Sequence, residues 1–182
     1  MPTVAVALLV AIGAIGATET GAGKPPPPPA NASAINVACV GDSITQGYLS
    51  TKGMTYPNQL QTMLGSGYKV TNFGAGGRTM LKKGDNPYWR TGPLKQALAS
   101  KPAIVVLMLG TNDAKWKNWG PLSAEFPVDY KSMIDAFKNV STKPKIYLMV
   151  PPPLYQDGRC EPVDAVRPAF RRSLPPLSPS CR

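Results

Sequence analysis

The chain has 182 residues, with 20 Lys and Arg against 10 Asp and Glu, three Cys, 21 Pro and no histidine. That length suits one domain with a sizeable core, and 43% hydrophobic with 16% charged residues is a globular composition rather than a disordered one. Without histidine, these residues exclude His-ligated zinc, Ser-His and Cys-His hydrolysis and histidine acid–base chemistry, so a hydrolytic reading has to find its base elsewhere.

The formal charge of +10 is spread thinly. Up to Gly158 the cations are 13 Lys with Arg78 and Arg90, single or in pairs among apolar residues, Gly and Pro. Nucleic-acid binders gather such residues on one face or in a run, so no nucleic-acid partner is expected. The cysteines show no metal spacing, and no metal site is expected. Cys39, within Val37-Ala38-Cys39-Val40, reads as a buried small hydrophobe. Cys160 and Cys181 are free to pair, with nothing to support a bridge.

Residues 1–17 read MPTVAVALLVAIGAIGA, an apolar run of signal-peptide length with small-x-small sites, though with no basic residue before it. A secreted protein without stable membrane insertion is expected. Residues 18–35 contain five consecutive prolines, Pro25 to Pro29, and read as a semi-rigid linker. Asn31-Ala32-Ser33 and Asn139-Val140-Ser141 have the form of glycosylation sites.

From Ile35 onward short apolar runs alternate with amphipathic stretches, the pattern of an α/β parallel sheet. Strands are expected at 36–40, 68–73, 103–109 and 145–150, and helices at 57–64, 93–100 and 128–137. AIVVLML at 103–109 is apolar throughout, as a central strand covered on both faces should be. The first three strands end in loops of Gly and small polar residues: Gly41-Asp42-Ser43, Gly74-Ala75-Gly76-Gly77 and Gly110-Thr111-Asn112-Asp113. In open parallel sheets the strand C-termini form one rim where ligands bind, so Ser43, Gly77 and Asn112 are expected to meet there.

Taken singly, each loop is no more than a turn or a helix cap. In order, GDSIT, NFGAGGRT and LGTND resemble the first three sequence blocks of the GDSL, or SGNH, hydrolase family, over roughly residues 36–158. The resemblance implies a three-layer α/β/α flavodoxin-like fold with a parallel sheet, and hydrolysis of acyl esters. It assigns Ser43 as nucleophile, with Gly77 and Asn112 joining the Ser43 amide in an oxyanion hole. Gly41, Asp42, Gly74 and Asp113 then support the loops. Arg78, Lys115 and Trp116 are candidates for substrate contact, while Trp116 and Trp119 serve equally well as a hydrophobic cover. The substrate class is a small-molecule or carbohydrate ester, no cofactor is implied, and nothing sets an oligomeric state. A catalytically dead relative that binds glycans or acyl ligands is the alternative.

The family's fourth block, Asp-x-x-His, is absent, and its sheet has a fifth strand. Lys82 and Lys83 follow the second block, but nothing in the sequence fixes either as a substitute base. Composition changes at Gly158: residues 159–182 hold five Arg, no Lys, five Pro and two of the three Cys. The fold is therefore expected to be incomplete at its C-terminus, with 159–182 an out-of-frame segment or a disordered basic tail. Translating the genomic DNA in the other two frames beyond codon 158 should reveal an Asp-x-x-His; its absence from both would sink the frame-shift reading.

Overall fold

The computed structural model describes residues 33–51 and 53–152. The expected signal segment, most of the proline linker, the Asn31 glycosylation site, Cys160, Cys181 and the 159–182 tail lie outside these described residues. Four strands form one parallel sheet: β1 (Ile35–Gly41), β2 (Tyr68–Gly74), β3 (Ile104–Met108) and β4 (Lys145–Leu148), in the order β2-β1-β3-β4. The register pairs Gly41 with Gly74 and with Met108, so three strand ends finish at the same level. β3 and β4 are in step from Ile104 opposite Lys145 to Leu107 opposite Leu148.

The helices are α1 (Ser43–Gln46), α2 (Tyr56–Leu64), α3 (Gly92–Ala99), α4 (Trp116–Leu122) and α5 (Phe126–Lys138), with 3-10 turns at Tyr88–Arg90 and Ser123–Glu125. α2 and α3 start alike. A threonine N-cap, Thr55 or Thr91, accepts a backbone N–H three residues on, and a proline in the first turn needs no partner for its missing N–H. α5 is fixed by its apolar stripe: Phe126, Tyr130, Met133, Ile134 and Phe137 recur at helical spacing, and all are buried.

The chain steps from β1 to β2 in one direction, then back past β1 to β3 and on to β4. A right-handed crossover puts the helix on opposite faces for opposite steps. α2 accordingly packs Tyr56, Leu60 and Leu64 against Val37, Cys39 and Val106, whereas α3 and α5 cover Ala38, Val40, Val105 and Leu107 on the other face. Alternate residues of β1 and β3 thus enter different cores, and the sheet is sandwiched between helical layers. Cys39 is fully buried, and burial raises its thiol to about 12, so it is an inert apolar filler.

The expected strands and long helices are present with ends shifted by a few residues. α5 begins two residues early, at Phe126, and β4 ends at Leu148. α1 and α4 are additions. α4 contains Gly120 and Pro121, both poor in helix interiors, which is why its sequence does not suggest a helix.

At the end of β2, Gly74 lies against the backbone of α1: a Cβ there would fall 2.6 Å from Gln46 Cα and 2.7 Å from the Thr45 carbonyl carbon. Backbone cannot swing aside as a flexible side chain does. Gly74→Ala should cost about 2 kcal/mol or more, whereas Gly92→Ala, with open space around it, should stay within about 0.5 kcal/mol. Urea unfolding of the two variants checks this.

Candidate active site

The return from β2 to β3 reverses the direction of strand addition, which makes the rim beside β1 and β3 the switch point of the sheet. Three loops meet there. In the first, β1 ends at Gly41, where a Cβ would lie 2.5 Å from the Met108 carbonyl oxygen. Asp42 is the N-cap of α1, its Oδ1 accepting the Ile44 N–H at 2.9 Å, and Ser43 is the first helical residue. Buried Asp42 has its carboxyl pKa raised by desolvation, with the Ile44 N–H and the Thr111 hydroxyl pulling it back.

The second loop, after Gly74, is held to the first. The Ala75 N–H donates to the Gly41 carbonyl at 2.9 Å, and Asn72 Nδ2 donates to the Thr45 carbonyl at 2.7 Å. A Cβ on Gly76 would sit 3.9 Å from Ser43 Cβ and 2.9 Å from Gln46 Oε1, so the turn passes directly beside Ser43. Gly77 has φ +70°, a left-handed conformation that a side chain would strain. Asn86 clamps this turn: its Oδ1 accepts from Arg78 Nη1, and its Nδ2 donates to the Gly77 carbonyl at 3.4 Å.

The third loop follows β3. Asn112 Nδ2 donates to the Arg78 carbonyl at 3.1 Å, which brings it onto the Gly77-Arg78 turn. Asp113 is fully buried, and its carboxylate accepts the N–H groups of Met80 at 2.9 Å and Leu81 at 2.7 Å. Burial pushes this carboxyl up to about 7 despite those two donors, with Asp42 adding to the rise. Ser43, Gly77 and Asn112 therefore stand on three adjoining loops, linked through Gly76 and Arg78.

Among the candidate substrate contacts, Lys115 Nζ lies 3.4 Å from Asp85 Oδ2, and Lys117 approaches the same oxygen at 2.9 Å. The two tryptophans take different roles. Trp119 packs edge-on to Phe126 at 5.5 Å and joins the main core, whereas Trp116 is 71% exposed. Lys82 and Lys83 are engaged elsewhere, with Asp129 at 3.4 Å and Glu125 at 2.9 Å.

Sequence reasoning missed Gln46, Asn86 and Asn118. Buried Asn118 donates from Nδ2 to Asp85 Oδ1 and to the Asn112 carbonyl, both at 2.9 Å, and accepts the Asp85 N–H at 2.9 Å. It joins the Asn86 clamp to the Asn112 loop, and no motif marks it. Gln46 had one signal: it lies a helical turn beyond Ser43. Among the described residues no three His, Cys, Asp or Glu come together as a metal would require, and no helix is long and apolar enough to cross a membrane.

The model of the GDSL-like lipase/acylhydrolase family matches residues 39–175, about three quarters of the sequence. The chain belongs to that family. An acetylxylan esterase from Xylanibacter ruminicola is 42% identical over 146 residues, covering 75% of this chain and 30% of its own length. The chain thus spans under a third of that relative. AlinE4, an SGNH-hydrolase family esterase, superposes with a TM-score of 0.57 at 22% identity, over 78% of this chain and 71% of its own. A family two carbohydrate esterase from Clostridium thermocellum, solved with cellohexaose, gives a TM-score of 0.56 at 19% identity, over 76% of this chain and 48% of its own. At such identities the two structures establish a shared fold: a parallel sheet flanked by helices, as in the SGNH hydrolases.

Asp113 gives this GDSL-family site a pH signature. Its folded pKa lies above the ordinary value of 3.8, so its stabilising contribution is complete below about pH 4 and is lost as pH rises through about 7. Asp113→Asn removes that dependence, so its stability penalty should be larger at pH 5 than at pH 8. A penalty independent of pH in urea titrations would contradict it.

Proposed function

We propose that the chain carries the acyl-transfer site of a serine esterase acting on short-chain, carbohydrate-linked esters. Ser43 is the nucleophile, and the oxyanion hole is made of the Ser43 and Gly77 N–H groups and the Asn112 side chain. The observation that carries the reading is the bond from Asn112 to the Arg78 carbonyl, taken with the seating of Gly76 beside Ser43. Together they support a spot that a serine hydroxyl and three donors share. The acetyl group and the xylan backbone as substrate come from the name of the Xylanibacter relative.

In the reaction, Ser43 Oγ bonds to the ester carbonyl carbon while the carbonyl oxygen takes up negative charge among the three donors. The bond to the alcohol then breaks, the alcohol leaves with a proton, and water cleaves the acyl-serine. A base must hold the serine proton between these steps, and the sequence has no histidine to do so. Preorganised donors without a base retain about 10³–10⁴-fold acceleration over water. The chain as given is accordingly inactive or very weak. The missing histidine also favours a second reading, in which the same rim binds glycan or acyl ligands without turnover. Secretion of the protein belongs to the proposal too, on the apolar residues 4–17.

With p-nitrophenyl acetate and acetylated xylan, this chain should not exceed that residual acceleration. Asn112→Ala should lower it by about 10²-fold, whereas Ser43→Ala should lower it little further and without loss of stability, because with no base present the residual comes from the donors and from binding. Turnover at full enzyme rates that survives Ser43→Ala would exclude Ser43 as the nucleophile.

A further inference from the structure

Two loops, one following Ser43 and one following Asn112, carry large side chains that the fold leaves uncovered. In the first, Gly47 caps α1 with φ +91°, and the Tyr48 N–H donates to the Ser43 carbonyl at 2.9 Å. Tyr48 is 72% exposed and Leu49 90% exposed. Leu49 has φ +60°, a left-handed conformation that strains a leucine and that a flexible loop would relax. The loop is braced instead: Ser50 Oγ donates to the Gly47 carbonyl at 2.7 Å, the Met54 N–H to the Thr51 carbonyl at 2.9 Å, and Gln59 Nε2 to the Met54 carbonyl at 2.9 Å. Tyr48 thus stands on a hydrogen-bonded turn, five residues after Ser43.

In the other loop, Trp116 opens α4 four residues after Asn112. Its neighbours hold the turn in place, with the Asn118 side chain on the Asn112 carbonyl and the Trp119 N–H on the Lys115 carbonyl at 2.8 Å. Trp119 is packed into the core three residues on, so the exposure of Trp116 is not a failure of α4 to bury tryptophan. The Gln46 amide, on α1 between Ser43 and Tyr48 in sequence, lies beside Gly76 and Ser43.

Exposed aromatic rings on loops that follow Ser43 and Asn112, with a side-chain amide beside the nucleophile, suit a ligand having apolar C–H faces and hydroxyl edges. A pyranose ring has both: its axial C–H groups lie against an aromatic face, and its hydroxyls exchange hydrogen bonds with an amide that both donates and accepts. A lipid tail would call for a continuous apolar groove, in which an amide beside the nucleophile would lose its water without a partner. We propose that Tyr48 and Trp116 are the two stacking surfaces of a neutral carbohydrate chain lying across Ser43, with Gln46 hydrogen-bonding the sugar unit between them. The proposal rests on the carbohydrate-ester reading of the site for its substrate class, but the binding it describes requires no turnover.

The test is binding of unacetylated xylohexaose to the full chain, by calorimetry and by quenching of tryptophan fluorescence. Tyr48→Ala and Trp116→Ala should each weaken binding about three- to tenfold, and Tyr48→Phe and Trp116→Phe should restore most of it. Gln46→Ala should weaken it less than either ring. Met63→Ala, at an exposed apolar position on α2, should leave it unchanged. Absence of xylohexaose binding at tens of millimolar, or binding insensitive to loss of both rings, overturns the proposal. The esterase reading fails separately, when residual acetyl release does not depend on Asn112. Xylohexaose binding that persists in that event would leave the platform standing and the oxyanion-hole assignment fallen.

Discussion

The rim depends on one buried carboxylate. Asp113 stands just beyond β3 and accepts two successive backbone N–H groups from the long excursion between β2 and α3. Those N–H groups belong to Met80 and Leu81, whose side chains are fully buried in the main core. Burying the excursion's apolar residues would strand its backbone donors, and each stranded donor costs about 1–3 kcal/mol. Asp113 satisfies two of them at once. The same contact places Arg78 within reach of Asn112, so the packing of the core and the positions of Gly77 and Asn112 share one cause.

Other carboxylates work in the same way. Among the described residues Asp42 caps α1, Asp129 accepts the Lys82 N–H as well as its ammonium, and Asp85 bonds both ends of the Asn118 amide as well as two lysines. Burial alone would raise the Asp85 carboxyl, but Lys117, Asn118 and Lys115 outweigh it, and its pKa falls. Glu125 and Asp135 make exposed lysine pairs, which contribute little to stability. Acidic residues here serve mostly as acceptors for the backbone and amides of loops. Lys and Arg together number 20 against 10 acidic residues, and the net charge of +10 is that remainder rather than evidence of a polyanion site.

The sheet was legible in the sequence because its two cores impose a strict pattern. Unbroken apolar runs for β3 and for Val37–Val40 of β1, and helical spacing in 128–137, leave few alternatives. The strand-end motifs were legible because glycines such as Gly41 and Gly74 stand where backbone approaches closely, a demand that only glycine meets. The contacts between loops were not legible. Asn118 sits in a tryptophan-rich stretch with Gly and Pro that has no helical signature, yet it fills a buried junction between the Asp85 and Asn112 loops. Side-chain amides bond to whatever backbone the tertiary fold delivers, so no local pattern predicts them. Trp116 and Trp119 show the same limit: three residues apart on one helix, one enters the core and the other does not.

The absent histidine bears on chemistry and folding to very different degrees. Among the described residues the side-chain hydrogen bonds that join the three loops run through Asn72, Asn112, Asp113 and Asn118, and none through the Ser43 hydroxyl. Donors in an oxyanion hole are backbone and amide groups fixed by such bonds before any substrate arrives, so their placement requires no base. A base, by contrast, has to be delivered by a further segment whose position the described strands do not determine. The proposed hole therefore belongs to the fold and the proposed proton transfer does not, so loss of the base removes turnover and leaves the binding geometry. On the same grounds a chain without histidine keeps the three loops of the rim in register with one another.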